Sequence, residues 1–126
     1  MTRIAYANVF VRDFERACDF YERVLGLRLD QKDASHGYAA FDAGPIRLGV
    51  AEVGAEQAEL AGRHTGLGLD VEDLEAEYAR LSAAGVEFPM PPERQPWGGF
   101  MALMADPDGN VFYLDEIAAA HGRAPA

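Results

Sequence analysis

The sequence has one cysteine, Cys18, among its 126 residues, so no internal disulfide can form and the fold must rest on packing. No stretch approaches the roughly 20 apolar residues that a membrane span requires, and Met1-Thr2-Arg3-Ile4 lacks the apolar run of a secretory leader. A cytoplasmic chain with no membrane partner is the expectation. Bases are scarce as well: 11 Lys and Arg stand against 21 Asp and Glu, for a net charge of −10. With no basic stripe to offset that balance, a nucleic acid partner is not expected, because binding phosphates requires local positive charge. Covalent catalysis lacks its usual signs too. No Ser, His and Asp stand in motif context, no Gly-rich loop follows a strand and opens a helix, and Cys18 falls at an apolar position of a predicted helix, where it reads as core.

What is present is enough chain for one domain over residues 1–126, able to bury roughly two thirds of its unfolded surface. Its organisation is a repeat. The apolar run Ile4 to Val11 suits a buried strand, and Asp13 is a natural N-cap for the amphipathic stretch that follows. Phe14, Ala17, Cys18, Tyr21, Val24 and Leu25 form one helical face, and Gly26 is the expected stop. Sixty residues on, Gly66 to Val71 is again a strand candidate, Asp73 the cap, Leu74, Tyr78 and Leu81 the face, and Gly85 the stop. The same order at one offset points to an internal duplication.

Short strands follow each helix. In the first half they are expected at about 27–32, 37–43 and 46–53, broken by Ser35-His36-Gly37 and Asp42-Ala43-Gly44-Pro45. In the second, Val86-Glu87-Phe88 should lead into a loop from Pro89 to Gly99, then strands over 100–105 and 110–116 around the turn Asp106-Pro107-Asp108-Gly109. The fold class is therefore α+β: two paired βαβββ modules, one about 4–53 and the other about 65–116, forming a curved sheet around a cleft. The tail from Ala118 to Ala126 is expected to fray.

These features resemble the vicinal-oxygen-chelate superfamily, which includes glyoxalase I, extradiol dioxygenases and bleomycin-binding resistance proteins. The carriers are Val11-Arg12-Asp13-Phe14-Glu15-Arg16, Phe20-Tyr21, Leu25-Gly26-Leu27, Leu81 with Ala84-Gly85-Val86, and Asp106-Pro107-Asp108-Gly109-Asn110. Metal-dependent members of that superfamily are expected to hold donors at four positions, which here carry Tyr6, Gly66, Tyr113 and either Arg47 or Gly49. His36, His64 and His121 fall outside the strands. The resemblance therefore implies no metal and no cofactor.

In the family register Tyr6, Asn8 and Phe10 face the cleft from the first strand, and Val111 and Tyr113 from the last. Arg47 adds a polar fixing point. Gln95-Pro96-Trp97-Gly98 and the residues after Phe100 are similar to a stretch of the bleomycin-binding proteins, which sequester a drug without altering it. The expected ligand site is thus Tyr6, Asn8, Phe10, Arg47, Trp97, Phe100 and Tyr113, taking an aromatic small molecule for which a positive charge suits the acidic balance. The rivals are a metal-independent isomerase or lyase using Tyr6 or Tyr113, a glyoxalase-like enzyme of unknown substrate, and an interaction module with no ligand. A homodimer is implied by the resemblance in every case.

Overall fold

The computed structural model describes residues 1–117. Its elements run β1 (Tyr6–Val11), α1 (Phe14–Asp19), a π-helical turn (Phe20–Val24), β2 (Arg28–Asp33), β3 (Tyr38–Asp42) and β4 (Arg47–Glu52) in the first half. The second half runs β5 (His64–Asp70), α2 (Leu74–Ala83), β6 (Glu87–Arg94), β7 (Phe100–Ala105) and β8 (Val111–Asp115). Two four-stranded mixed sheets result, ordered β1-β4-β3-β2 and β5-β8-β7-β6. The fold is α+β with two βαβββ modules, and no helix among the described residues is long and apolar enough to cross a membrane. The chain divides into two compact units, Met1–Arg63 with Pro107–Asn110, and His64–Asp106 with Val111 onward.

The two modules begin alike because the same residue types meet the same local requirement. The Asp13 side chain accepts from Arg16 N and the Asp73 side chain from Ala76 N, each satisfying an N–H that the first helical turn leaves without a partner. Gly26 at φ 87° and Gly85 at φ 90° end the two helical segments in the left-handed region that glycine enters without steric cost.

In the first unit one sheet face is covered by helix. Val9, Val11, Phe41, Leu48 and Val50 are buried there against Phe14, Ala17 and Tyr21. The helical face differs from a simple 3.6-residue stripe: Phe20 is buried while Val24 and Leu25 are only half-buried. The cause is the π-helical turn, whose wider winding rotates Phe20 inward, edge-on to Tyr21 with ring centroids 5.0 Å apart. Each large ring buried this way contributes about 2 kcal/mol.

The first unit also holds Pro107-Asp108-Gly109-Asn110 of the turn. Arg12 N donates to Asp108 Oδ1 at 2.9 Å, and Arg12 Nη2 donates to the carbonyls of Ala58 and Ala61. Asn110, 2% exposed, accepts from Gly62 N and Arg63 N and donates to Phe10 O. The turn motif is therefore structural: its polar side chains saturate backbone groups that no sheet ladder reaches.

In the second unit Leu74 and Leu81 of α2 pack with Met104, Phe112 and Leu114, all buried. The loop expected from Pro89 to Gly99 is instead mostly strand, since β6 continues to Arg94. Pro89, Pro91 and Pro92 are tolerated because β6 is the edge strand, where a missing N–H breaks no ladder on the outer side. Register shifts between Glu87 and Met90 and between Met90 and Glu93 absorb the rest. At the other end of the chain, the first strand starts at Tyr6 rather than Ile4, because its pairing begins at Tyr6 opposite Arg47 and leaves Ile4 exposed. His121 and the tail beyond Ile117 lie outside the described residues.

Candidate functional site

The face of the first sheet turned away from α1 carries the side chains that can meet a ligand, and strand register arranges them in rows. Residues directly opposite one another share a face. One row crosses all four strands: Arg28 on β2 opposite Asp42 on β3, Asp42 opposite Arg47 on β4, and Arg47 opposite Tyr6 on β1. The next row is Gln31, Ala40, Gly49 and Asn8, and the third is Asp33, Tyr38, Ala51 and Phe10.

The middle row is small at its centre, so the face sinks there. Ala40 is 3% exposed, and a Cβ added at Gly49 would overlap Asn8 Oδ1 and the Tyr38 hydroxyl. Tyr38 Oη donates to Asn8 Oδ1 at 3.4 Å, so the two side chains lie over the glycine. A hollow of about 460 Å³ opens on this face, with Tyr6, Tyr38, Arg28, Arg47, Asp30 and Asp42 among its walls, while Asn8, Phe10 and Gly49 lie outside its lining. Tyr6 is 60% exposed at the start of the edge strand β1, so its ring is open to contact.

Two ion pairs organise the charge. Arg28 Nη2 lies 3.0 Å from Asp42 Oδ2, and Arg47 Nη2 lies 3.1 Å from Asp30 Oδ2. The Asp42 carboxyl is held below its usual range, first by the Gly44 N–H and then by Arg28. Arg47 and Asp30 belong to β4 and β2, which are not neighbours, so their bridge passes over β3.

Four of the seven residues expected at the ligand site, Tyr6, Asn8, Phe10 and Arg47, share this face. The other three belong to the second unit. Tyr113 lies on the open face of its sheet, between Gly68 and Leu103, with the His64 ring 4.9 Å from its own. Phe100 alternates with Ala102 and Met104 on the helix-covered face, opposite in sense to Tyr113, and the Arg94 guanidinium sits 4.4 Å from its ring centroid. Trp97 is not core: it is 67% exposed in a turn closed by the hydrogen bond from Gly98 N to Gln95 O. Sequence reasoning missed Arg28, Asp30, Tyr38 and Asp42. The three charged residues alone read as solvated strand surface, and Tyr38 as one more ring in a predicted strand.

The residues at the positions where metal-dependent relatives would hold donors do not fit a cation. Gly66 has φ 73°, a backbone that histidine rarely adopts. The space for a side chain at Gly49 is taken by Asn8 and Tyr38, and Arg47 is itself a cation paired to Asp30. Among the described residues, no three His, Cys, Asp or Glu side chains are grouped to hold a metal ion. Asp33, Ser35 and His36 do meet on one turn, but as capping groups. The Ser35 hydroxyl donates to Asp33 Oδ1 at 2.7 Å and His36 Nδ1 lies 2.8 Å from Asp33 Oδ2, with Ser35 Oγ and His36 Nδ1 3.2 Å apart, so the carboxylate is the nearer partner of both. That contact and its neighbours hold the Asp33 carboxyl low, with Ser35 the larger cause and His36 the next. Cys18 is buried in α1, and burial pushes its thiol up and away from the reactive thiolate.

A bleomycin resistance protein of Klebsiella pneumoniae is 34% identical over 122 residues, covering 90% of this chain and 92% of the relative. TnmS3, an antibiotic binding protein from Streptomyces sp. CB03234, has a crystal structure that is 30% identical and superposes with a TM-score of 0.75, covering 91% of this chain and 95% of that one. The crystal structure of UcmS2 gives a TM-score of 0.79 at 26% identity, covering 92% of this chain and 98% of the other. Residues 3–114 match the family model for the Glyoxalase/Bleomycin resistance protein/Dioxygenase superfamily, and the chain belongs to that superfamily.

Proposed function

We propose that this protein binds an aromatic small molecule without transforming it, in the hollow on the open face of its first sheet. The observation that carries the reading is an exposed Tyr6 standing beside a hollow of about 460 Å³. That volume lies within the roughly 300 to 1,000 Å³ usual for small-molecule sites. Tyr6 and Tyr38 offer rings for stacking, each worth about 0.5 to 1.5 kcal/mol beyond area burial. Two such contacts supply about 1 to 3 kcal/mol of the roughly 8 kcal/mol that micromolar affinity requires, and burial of the ligand's own apolar surface has to supply the rest.

Sequestration is favoured over turnover by what lines the walls. They include no histidine, cysteine, serine or threonine, so no Ser-His or Cys-His pair stands there, and the two carboxylates, Asp30 and Asp42, are each paired to an arginine. The antibiotic-binding and bleomycin-resistance relatives support the same choice. The net charge of −10 would draw a cationic ligand toward the surface, yet the hollow itself sets two arginines against two aspartates.

Calorimetric titration with naphthalene and anthracene derivatives tests the proposal. One site per chain with micromolar affinity is expected, weakened about tenfold in Tyr6→Ala, which corresponds to about 1.4 kcal/mol. Chromatography of the ligand after prolonged incubation should return it unchanged. A converted ligand would move the protein to the enzymes, and an absence of heat across the series would remove the site.

A further inference from the structure

Resting on the reading of the hollow as an aromatic-binding site, we propose that it selects aromatic ligands bearing a carboxylate or a similar planar anion, read by Arg28 and Arg47. The first observation is the row itself. Register places a guanidinium on each side of Asp42, followed by the Tyr6 ring, so a flat molecule stacked on Tyr6 meets Arg47 next. The second is the asymmetry of exposure within the pairs. The Arg28 and Arg47 side chains are 77% and 60% exposed, whereas their partners Asp42 and Asp30 are 43% and 33% exposed.

The carboxylates are thus the inner members of each pair. Asp42 accepts from Gly44 N at 3.2 Å and from Arg28 Nη2 at 3.0 Å, and Asp30 lies against Arg47. A guanidinium carries five N–H donors in a planar fork, so one carboxylate contact leaves others to turn toward a second planar anion. Asp30 and Asp42 act here as positioning residues that hold the two forks at the walls of the hollow.

The charge of the whole chain argues for the opposite sign of ligand, and distance decides between them. Charges beyond about 8 Å are largely screened at physiological ionic strength, whereas the forks would touch the ligand at hydrogen-bond distance. Inside the hollow Asp30 and Asp42 offset the two guanidiniums in sum, so the preference rests on the forks being the more exposed member of each pair, while the global charge acts on the approach.

Three probes that share one ring system separate the possibilities: 2-naphthoate, 2-naphthylmethanol and 2-naphthylmethylammonium, titrated calorimetrically into the full chain. Naphthoate should bind about tenfold more tightly than the alcohol. Arg28→Gln and Arg47→Gln should each cost naphthoate about fivefold while changing the alcohol less than twofold, as expected when a charged contact rather than shape is removed. Both arginines are exposed, so neither variant threatens folding. Arg47→Gln should also improve the ammonium probe, because Asp30 loses its partner. Tighter binding of the ammonium than of naphthoate by the native protein, or equal losses for acid and alcohol in the variants, would overturn the inference and leave the aromatic site standing. Failure of all three probes to bind would bring down both.

Discussion

At the scale of single residues, Gly49 decides more than any side chain around it. Its missing Cβ leaves the space into which Asn8 Oδ1 and the Tyr38 hydroxyl settle, and Tyr38 is one wall of the hollow. Both intruding groups are the far ends of side chains, so Gly49→Ala should cost little stability, within about 1 kcal/mol. The same substitution must displace Tyr38 and so reshape one wall of the hollow. Binding of 2-naphthoate should fall about tenfold while the urea midpoint shifts only slightly. A large loss of stability with unchanged binding would mean that the glycine serves packing rather than the site.

At the scale of elements, the repeated cap, helix and glycine stop is the device that starts each module. Asp13→Ala and Asp73→Ala should each destabilise by about 1 kcal/mol in urea unfolding, and neither should alter ligand affinity by much, since neither residue lines the hollow. Indifference of the urea midpoint to Asp73→Ala would show that tertiary packing alone holds α2. These caps were legible in the sequence because capping is local: Asp13 and Asp73 act on residues three positions ahead. That Tyr6, Asn8 and Phe10 share one face of β1 was legible for a similar reason, as alternation is a property of one strand. What could not be read was whatever depends on pairing between strands. The prolines of β6 looked like loop because sequence does not say which strand is an edge, and Arg28, Asp42 and Arg47 join one row only once three strands are in register. Phe100 was assigned with Tyr113 by its place in a familiar motif, whereas alternation along β7 sends it to the helix side.

At the scale of the whole molecule, a net charge of −10 on 126 residues means that folding concentrates like charge. Opposing this are ion pairs that are mostly exposed, such as Arg23 with Asp19 at 78% and 57% and Arg28 with Asp42 at 77% and 43%. Exposed pairs contribute about 0 to 1 kcal/mol each, and their short contacts are screened less than the repulsion summed over longer distances. Added salt should then relieve more repulsion than it loses attraction. Raising sodium chloride from about 0.02 M to about 0.3 M shortens the screening length from roughly 20 Å to roughly 6 Å. A net gain of about 1 kcal/mol would raise the melting temperature by roughly 4 °C for a chain of this size. Calorimetric scans across that range measure it directly. A melting temperature that falls with salt would place the ion pairs above the repulsion, and would make the Arg and Asp row on the open face a structural element of the first sheet as well as the lining of its hollow.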